Sequence, residues 1–420
     1  MSDTEKLVLG IDLCDDITQV TVMRPRAAEP DAVCFDARTR KEFLPTLLYE
    51  NADGAWYIGE VPEPGVTVLP PFFRAAIRNE TVEMKGGSLS GRELLEHYIS
   101  LLLHKVSERF EEQEIGFVAV TYEEGSEEGS AKAVLYDIFE KTQGFAGDCL
   151  VLSHLEAFLH FVIRQEVGLW ENGSAAFDYS AKGLLFYHME CRMAGGRRLL
   201  LADYKDYSEV LPAEVVARGE TASIASAFER LAEMALQQRY GSLFATGRVF
   251  EGEWVSDVLR MFSRGRRVFR GQNLYTQGAC YAGTEVFRRE GNVDFSLLTP
   301  EQITVDVFLM AENAEQEDGV LLAKVGEAFR NIDSRKEVLL NGTDKLSFKV
   351  VPAGETTPML IRVAPKITEL RGDATNRYEV RLFFVKRDVM VIQLKDTGFG
   401  VFYPSTHRVY EEIVDFSHLE

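Results

Sequence analysis

Cysteine is scarce and dispersed: Cys14, Cys34, Cys149, Cys191 and Cys280 are the only five in 420 residues. An odd number without close spacing supports neither a disulfide framework nor a paired-cysteine zinc site. Long apolar runs are also missing, since no stretch approaches the ~20 consecutive apolar residues that a membrane-spanning helix needs. The opening residues, MSDTEKLVLGID, carry no basic segment ahead of an apolar core, so no secretory leader is read there and a cytoplasmic protein is expected. Basic residues fall well short of acidic ones, 46 against 66, for a formal charge of −20. A molecule so acidic repels nucleic acid and anionic lipid as a whole.

What is present begins with Leu7 to Met23, LVLGIDLCDDITQVTVM. A short apolar run ends in Asp12, a polar turn follows, and a second apolar run returns. A β-hairpin of this kind presents a carboxylate at the mouth of a site. The figure recurs at Ser174 to Met189, SAAFDYSAKGLLFYHM, with Asp178 in the corresponding place and Ala181-Lys182 in the turn. Two such hairpins imply a duplicated architecture.

Between them the periodicity is mixed. FLPTLLY (Phe43 to Tyr49) and AWYIGE (Ala55 to Glu60) read as strands joined by a turn at Asn51 to Gly54. Ser90-Gly-Arg-Glu93 is a capping box opening an amphipathic helix to about Arg109. The strand FVAVTY (Phe117 to Tyr122) leads into an acidic turn, Glu123 to Glu128, read as a solvated loop or helix start. A brief strand to Ser153 precedes an apolar helix opening with His154, Glu156 and Ala157. His154 and His160 lack ligand spacing, and no third ligand stands near them in sequence. A helix then runs from Thr221 towards Gly241. Beyond about Asp294 the pattern is nearly all strand: Ile303 to Met310, Leu346 to Val351, Met359 to Val363, Tyr378 to Val385 and Val389 to Leu394. That reads as an all-β, sandwich-like domain, with Asp396-Thr-Gly-Phe-Gly400 as a glycine turn.

LVLGIDLCDDITQV resembles the first phosphate hairpin of the actin and heat-shock-70 (DnaK-type) ATPase superfamily, and FDYSAKG resembles its second. The resemblance extends through Pro45, Thr46, Trp56, Gly59 and Glu60, through Glu156-Ala157, and through Gly247-Arg248 to the Gly278-Ala279 pair. It implies an α/β fold: a duplicated actin-like, ribonuclease H-like ATPase domain with reduced subdomains over residues 1–292, in lobes of about 1–155 and 156–292. An all-β sandwich-like domain over 293–420 would follow. It implies Mg-ATP as cofactor, with Asp12, Asp178 and Glu156 as catalytic residues and Asp12 and Asp178 holding magnesium. Cys14, Asp15, Asp16, Ser180, Lys182, Gly183, Gly247, Arg248 and Gly278 would contact nucleotide. Gly278 and Ala279 are expected to start the last helix and pack on the first hairpin.

The residues depart from that pattern where the chemistry is most exacting. Phosphate hairpins use glycine to bring backbone N–H groups close and hydroxyls to donate hydrogen bonds. Here Cys14, Asp15 and Asp16 replace Gly and two Thr, and Tyr179 to Lys182 replace the glycine-rich run of the second turn. A carboxylate ~5 Å from a phosphate costs ~3 kcal/mol at an effective dielectric of about 20, unless a cation intervenes. Lys182 offers one charge, and Asp12, Asp15 and Asp178 offer oxygen ligands for a divalent ion. The segment that closes over adenine in the chaperones has no counterpart. Three readings follow: a heat-shock-70-like protein with a degenerate nucleotide site that needs no cofactor and binds protein partners through the β-domain; a working Mg-ATPase; or an actin-like assembly component.

Overall fold

The computed structural model describes residues 6–35, 41–51, 53–59, 66–84, 87–110, 113–123, 128–142, 147–194, 197–212, 221–252, 254–289, 295–310, 319–355, 357–367 and 370–417. The chain divides into two compact units, Met1–Glu190 with Asp203–Val293, and Cys191–Ala202 with Asp294–Glu420.

The first unit contains both hairpins. Leu7–Leu13 is buried along its whole length, because it pairs antiparallel with Ile17–Met23 on one side and parallel with Ile115–Tyr122 on the other. A strand covered on both faces is expected to be a nearly continuous apolar run, which LVLGIDL is apart from Asp12. The parallel strand Asp148–Ser153 extends this sheet on one side, and Asp31–Ala32 extends it on the other. In the second sheet, Ser174–Ser180 pairs antiparallel with the strand from Gly183 and parallel with Ser242–Thr246, which pairs parallel with Arg267–Arg270.

Two helices lie against these hairpins. His154–Ile163 starts with a complete capping box, in which Ser153 accepts from the Glu156 N–H and Glu156 accepts from the Ser153 N–H. Leu274–Arg288 starts four residues before Gly278 and crosses the first helix at that glycine. A Cβ on Gly278 would stand 1.9 Å from the Ala157 carbonyl oxygen, and one on Gly10 would stand 2.0 Å from that of Thr276. Gly278 therefore serves the contact between the helices, while Ala279 shares a buried cluster with Val8 of the first hairpin. The Thr21 hydroxyl donates to the Thr276 carbonyl at 2.8 Å and fixes the same junction.

The expectation of a duplicated actin-like ATPase domain is corrected by this architecture. The described residues are mixed α/β, 42% strand and 27% helix. They form six sheets of six, six, four, four, three and two strands, and no clear duplicated actin-like fold stands out among them. The physical reason lies in how little a hairpin specifies. Each hairpin is fixed locally by about sixteen residues of alternation and one turn, and the two are set in different surroundings. The first is accompanied by Phe43–Pro45 pairing on Ile17–Met23 and by the three-stranded sheet of Leu48–Glu50, Trp56–Ile58 and Thr67–Val68. The FLPTLLY run is thus two strands rather than one, broken after Pro45, while Glu60 lies outside the described residues.

The second unit includes two four-stranded antiparallel sheets. One runs Val320–Ala323, Val305–Met310, Leu346–Pro352, Met359–Val363, and the other Asp333–Leu340, Asn376–Lys386, Val389–Asp396, Val409–Asp415. Alternate residues of both, such as Val307, Phe348, Val380 and Ile392, join one buried cluster. Residues Arg198–Leu201 pair in parallel with Phe295–Leu298 in the same unit. Gly398 and Gly400 have φ of 71° and 68°, as the turn requires. Arg371-Gly-Asp373 is folded back on itself, with Arg371 over the Tyr403 ring and donating to Thr375. No described helix is long and apolar enough to cross a membrane.

Candidate functional site: a histidine clamped between two hairpin carboxylates

Three neighbouring parallel strands place their carboxyl ends together. Asp12 is in register with Thr121, and Tyr122 with Ser153, so Asp12, Glu123 and His154 all emerge at one edge of the first sheet. The carboxyl ends of parallel strands are where α/β sheets collect their chemistry. Asp178, in register with Thr246, arrives from the second sheet.

His154 occupies the space between the two aspartates. Its Nε2 lies 2.8 Å from Asp12 Oδ1, and its Nδ1 lies 3.8 Å from Asp178 Oδ2, too far for a hydrogen bond. The ring stacks on Tyr275, with centroids 3.8 Å apart and planes 8° from parallel. The Tyr275 hydroxyl donates to Asp178 Oδ2 at 2.9 Å. Cys14 Sγ stands 3.5 Å from Asp12 Oδ1 and 4.0 Å from His154 Nε2. Asp12, His154 and Asp178 are each at most 4% exposed.

Burial by itself would strip the charge from His154. The Asp12 carboxylate overcomes it, helped by the other acceptors around the ring, and holds the histidine pKa well above its usual value. The group is an imidazolium at neutral pH. Cys14 moves the other way: desolvation and the neighbouring Asp12 charge push its thiol well above the ordinary range. A thiol held in its protonated form is a poor nucleophile.

The surrounding cations are already neutralised. Lys182 Nζ lies 2.8 Å from Glu123 Oε2, and Ser180 donates to Glu123 Oε1 at 2.7 Å. Burial opposes the charge on Lys182, yet the Glu123 carboxylate keeps its pKa raised. Arg74 pairs with Asp15 at 2.8 Å. Arg248 approaches Asp16 at 3.6 Å and lies over the Phe43 ring. Burial pushes Asp16 up, partly offset by Arg248.

The residues expected from sequence thus divide. Asp12, Cys14, Asp16, Asp178, Ser180, Gly247 and Arg248 line one cavity, together with Thr246, Gln272 and Tyr275. Gly247 has φ of 94°, and a Cβ there would meet Asp178 Oδ1 at 2.5 Å. Asp15 is turned to Arg74, Gly183 packs on Ser208, and Gly278 belongs to the helix crossing. Glu156 is spent on its capping box and lies 3.7 Å from Lys132. Glu123, read as part of a solvated turn, is buried at 8% exposure, while residues 124–127 lie outside the described residues. Glu123, His154 and Tyr275 are the functional side chains that the sequence reading missed. The available signal for the first two was their position directly after an apolar, strand-like run.

Mg-ATP does not fit these residues. The cavity measures about 40 Å³, against ~300–1,000 Å³ for sites that hold a small organic ligand. The donors beside Asp12 are a thiol and an imidazole, whereas magnesium takes oxygen ligands. Arg74, Arg248 and Lys182, the cations near the two turns, each face a carboxylate of the chain itself.

Residues 29–299 match the model described as Family of unknown function (DUF5716) C-terminal, and residues 302–416 match that described as Domain of unknown function (DUF8552). No curated protein matches the chain.

Proposed function

The chain belongs to the family of unknown function DUF5716, and because that name assigns no activity, we propose from the site itself that it is a non-hydrolysing, chaperone-related scaffold that works by binding other proteins. The observation that carries the proposal is the buried His154 imidazolium between Asp12 and Asp178. A protein side chain fills the space between the two aspartates to which the sequence resemblance would assign magnesium. The second unit supplies the partner surface in this reading. Its loop after Val389–Asp396 holds Val401 and Phe402 at 94% and 92% exposure, beside partly exposed Phe399 and Tyr403. Its edge strand Val409–Asp415 leaves Val409 and Ile413 uncovered. Clustered exposed apolar side chains mark interaction sites more often than solitary ones do. Five free cysteines suit a reducing cytoplasm.

The test is equilibrium binding of a fluorescent ATP analogue with magnesium, alongside phosphate release from ATP, on the full chain. The proposal expects neither binding at millimolar analogue nor turnover above background. Turnover that disappears in Asp12→Asn would replace it with the ATPase reading.

A further inference from the structure

Asp12, Cys14 and His154 offer three different donor atoms, all within 4.8 Å of one another and drawn from a strand end, a hairpin turn and a helix start. Their separations are 2.8 Å for Asp12 to His154, 3.5 Å for Asp12 to Cys14 and 4.0 Å for Cys14 to His154. Zinc bonds of ~2.0–2.3 Å in a tetrahedron place donor atoms about 3.3–3.7 Å apart. The three distances bracket that range, so each donor needs to move only by tenths of an ångström.

A second observation is the far nitrogen of the same ring. His154 is 2% exposed, and its Nδ1 has no hydrogen-bond partner. It faces Asp178 Oδ2 at 3.8 Å, and that oxygen is itself held by the Tyr275 hydroxyl. Metal-bound histidines almost always donate their second N–H to an acceptor, a carboxylate, a backbone carbonyl or a water, which fixes the ring and raises its basicity. In Asp12, His154 and Asp178 the chain has that arrangement almost closed. A small shift of the ring away from Asp12 opens space for an ion on one side and shortens the Asp178 contact on the other.

We propose that Asp12 Oδ1, Cys14 Sγ and His154 Nε2 bind one divalent cation of zinc type, with water from the adjoining cavity as fourth ligand and Asp178 positioning the histidine. The thiolate and imidazole select a borderline-soft ion over magnesium or calcium. The ~40 Å³ cavity beside the donors admits a water, which needs roughly 10–15 Å³, but no organic ligand of nucleotide size. The proton on Nε2 and the thiol proton leave as the dication enters, so the total charge of the three groups is the same before and after. Sequence spacing concealed the site because His154 is 140 residues from Cys14. The proposal goes beyond the scaffold reading and does not rest on it, since an ion can bind here whether or not the chain binds other proteins.

The test uses the full chain, stripped with a chelator, desalted and titrated with Co²⁺ as the probe. One equivalent is expected to bind with the intense visible bands of a tetrahedral site and a near-ultraviolet thiolate-to-cobalt band, both lost on adding one equivalent of Zn²⁺. Cys14→Ser is expected to abolish the thiolate band, Cys34→Ser to leave it unchanged, and Asp178→Asn to keep it while weakening affinity ~10–100-fold. Each variant is checked for native circular dichroism. A weak six-coordinate cobalt spectrum, or a thiolate band that survives in Cys14→Ser, overturns the proposal. Loss of folding in Cys14→Ser leaves the decision to Asp178→Asn, where unchanged affinity overturns it. Nucleotide binding is read in a separate assay, so failure here and failure of the scaffold reading are distinguishable.

Discussion

Replacing His154 with leucine keeps most of the side-chain volume and removes the charge between Asp12 and Asp178. Two carboxylates at most 4% exposed then lose their cation. Removing one partner of a buried pair costs ~3–5 kcal/mol. Loss of the ring stack on Tyr275 adds ~0.5–1.5 kcal/mol. His154→Leu is therefore expected to destabilise the first unit by about 4–5 kcal/mol. The double variant Asp12→Asn, His154→Leu should recover more than ~1.5 kcal/mol of this, since the partner left unpaired is now neutral. Trp56, Trp170 and Trp254, the three tryptophans of the chain, all lie in that unit. Urea unfolding followed by tryptophan fluorescence, with chelator present, thus reports it without interference from the second unit. A cost below about 1 kcal/mol, or a double variant as damaged as the sum of its parts, would refute the clamp.

Two further expectations concern packing and pH. Gly278→Ala should cost more than ~3 kcal/mol in the same fluorescence assay, because the new Cβ meets the Ala157 backbone at 1.9 Å and backbone cannot step aside as a flexible side chain can; a loss under ~1 kcal/mol would mean the helices are not locked at this crossing. Asp396 accepts from the Thr406 N–H and hydroxyl and from the Gly398 N–H at 2.6–2.9 Å. Burial pushes its carboxyl up, but these hydrogen bonds together hold it below the usual range. A depressed folded pKa contributes stability that is present above ~pH 4 and lost as pH falls through the folded value. Asp396→Ala, which strands those donors, should cost ~2 kcal/mol at pH 7, with the gap from wild type narrowing below pH 4 in urea unfolding followed by far-ultraviolet circular dichroism. A gap that widens on acidification would reverse the assignment.

Local signals in the sequence carried through to structure where one short segment sets the outcome. The capping box at Ser90 and Glu93 opens the helix Gly91–Arg109, with both reciprocal hydrogen bonds made. The hairpins at Leu7–Met23 and Ser174–Met189 form in the register that their alternation requires. The site was only half legible. Both aspartates stand out as charges in apolar strands, but the histidine between them is drawn in by parallel pairing, which carries no sequence mark of its own. Glu123 looked solvated because five acidic or small residues follow it, although it is the one that the strand Ile115–Tyr122 delivers inward. The strands Asp333–Leu340 and Val409–Asp415 went unread for a different reason. They are edge strands whose residues are mostly exposed or half-exposed, with charges at adjacent positions such as Arg335 to Glu337 and Glu411-Glu412, so no apolar stripe betrays them.

The most direct test of a site closed by its own side chains is the unfolding midpoint of the full chain, read by tryptophan fluorescence, with and without millimolar ATP and magnesium. A ligand at 100 times its dissociation constant stabilises the state that binds it by ~2.7 kcal/mol, on the order of 5–10 °C for a unit of this size. The account predicts no shift beyond that of magnesium alone. An upward shift of several degrees that requires ATP would contradict it.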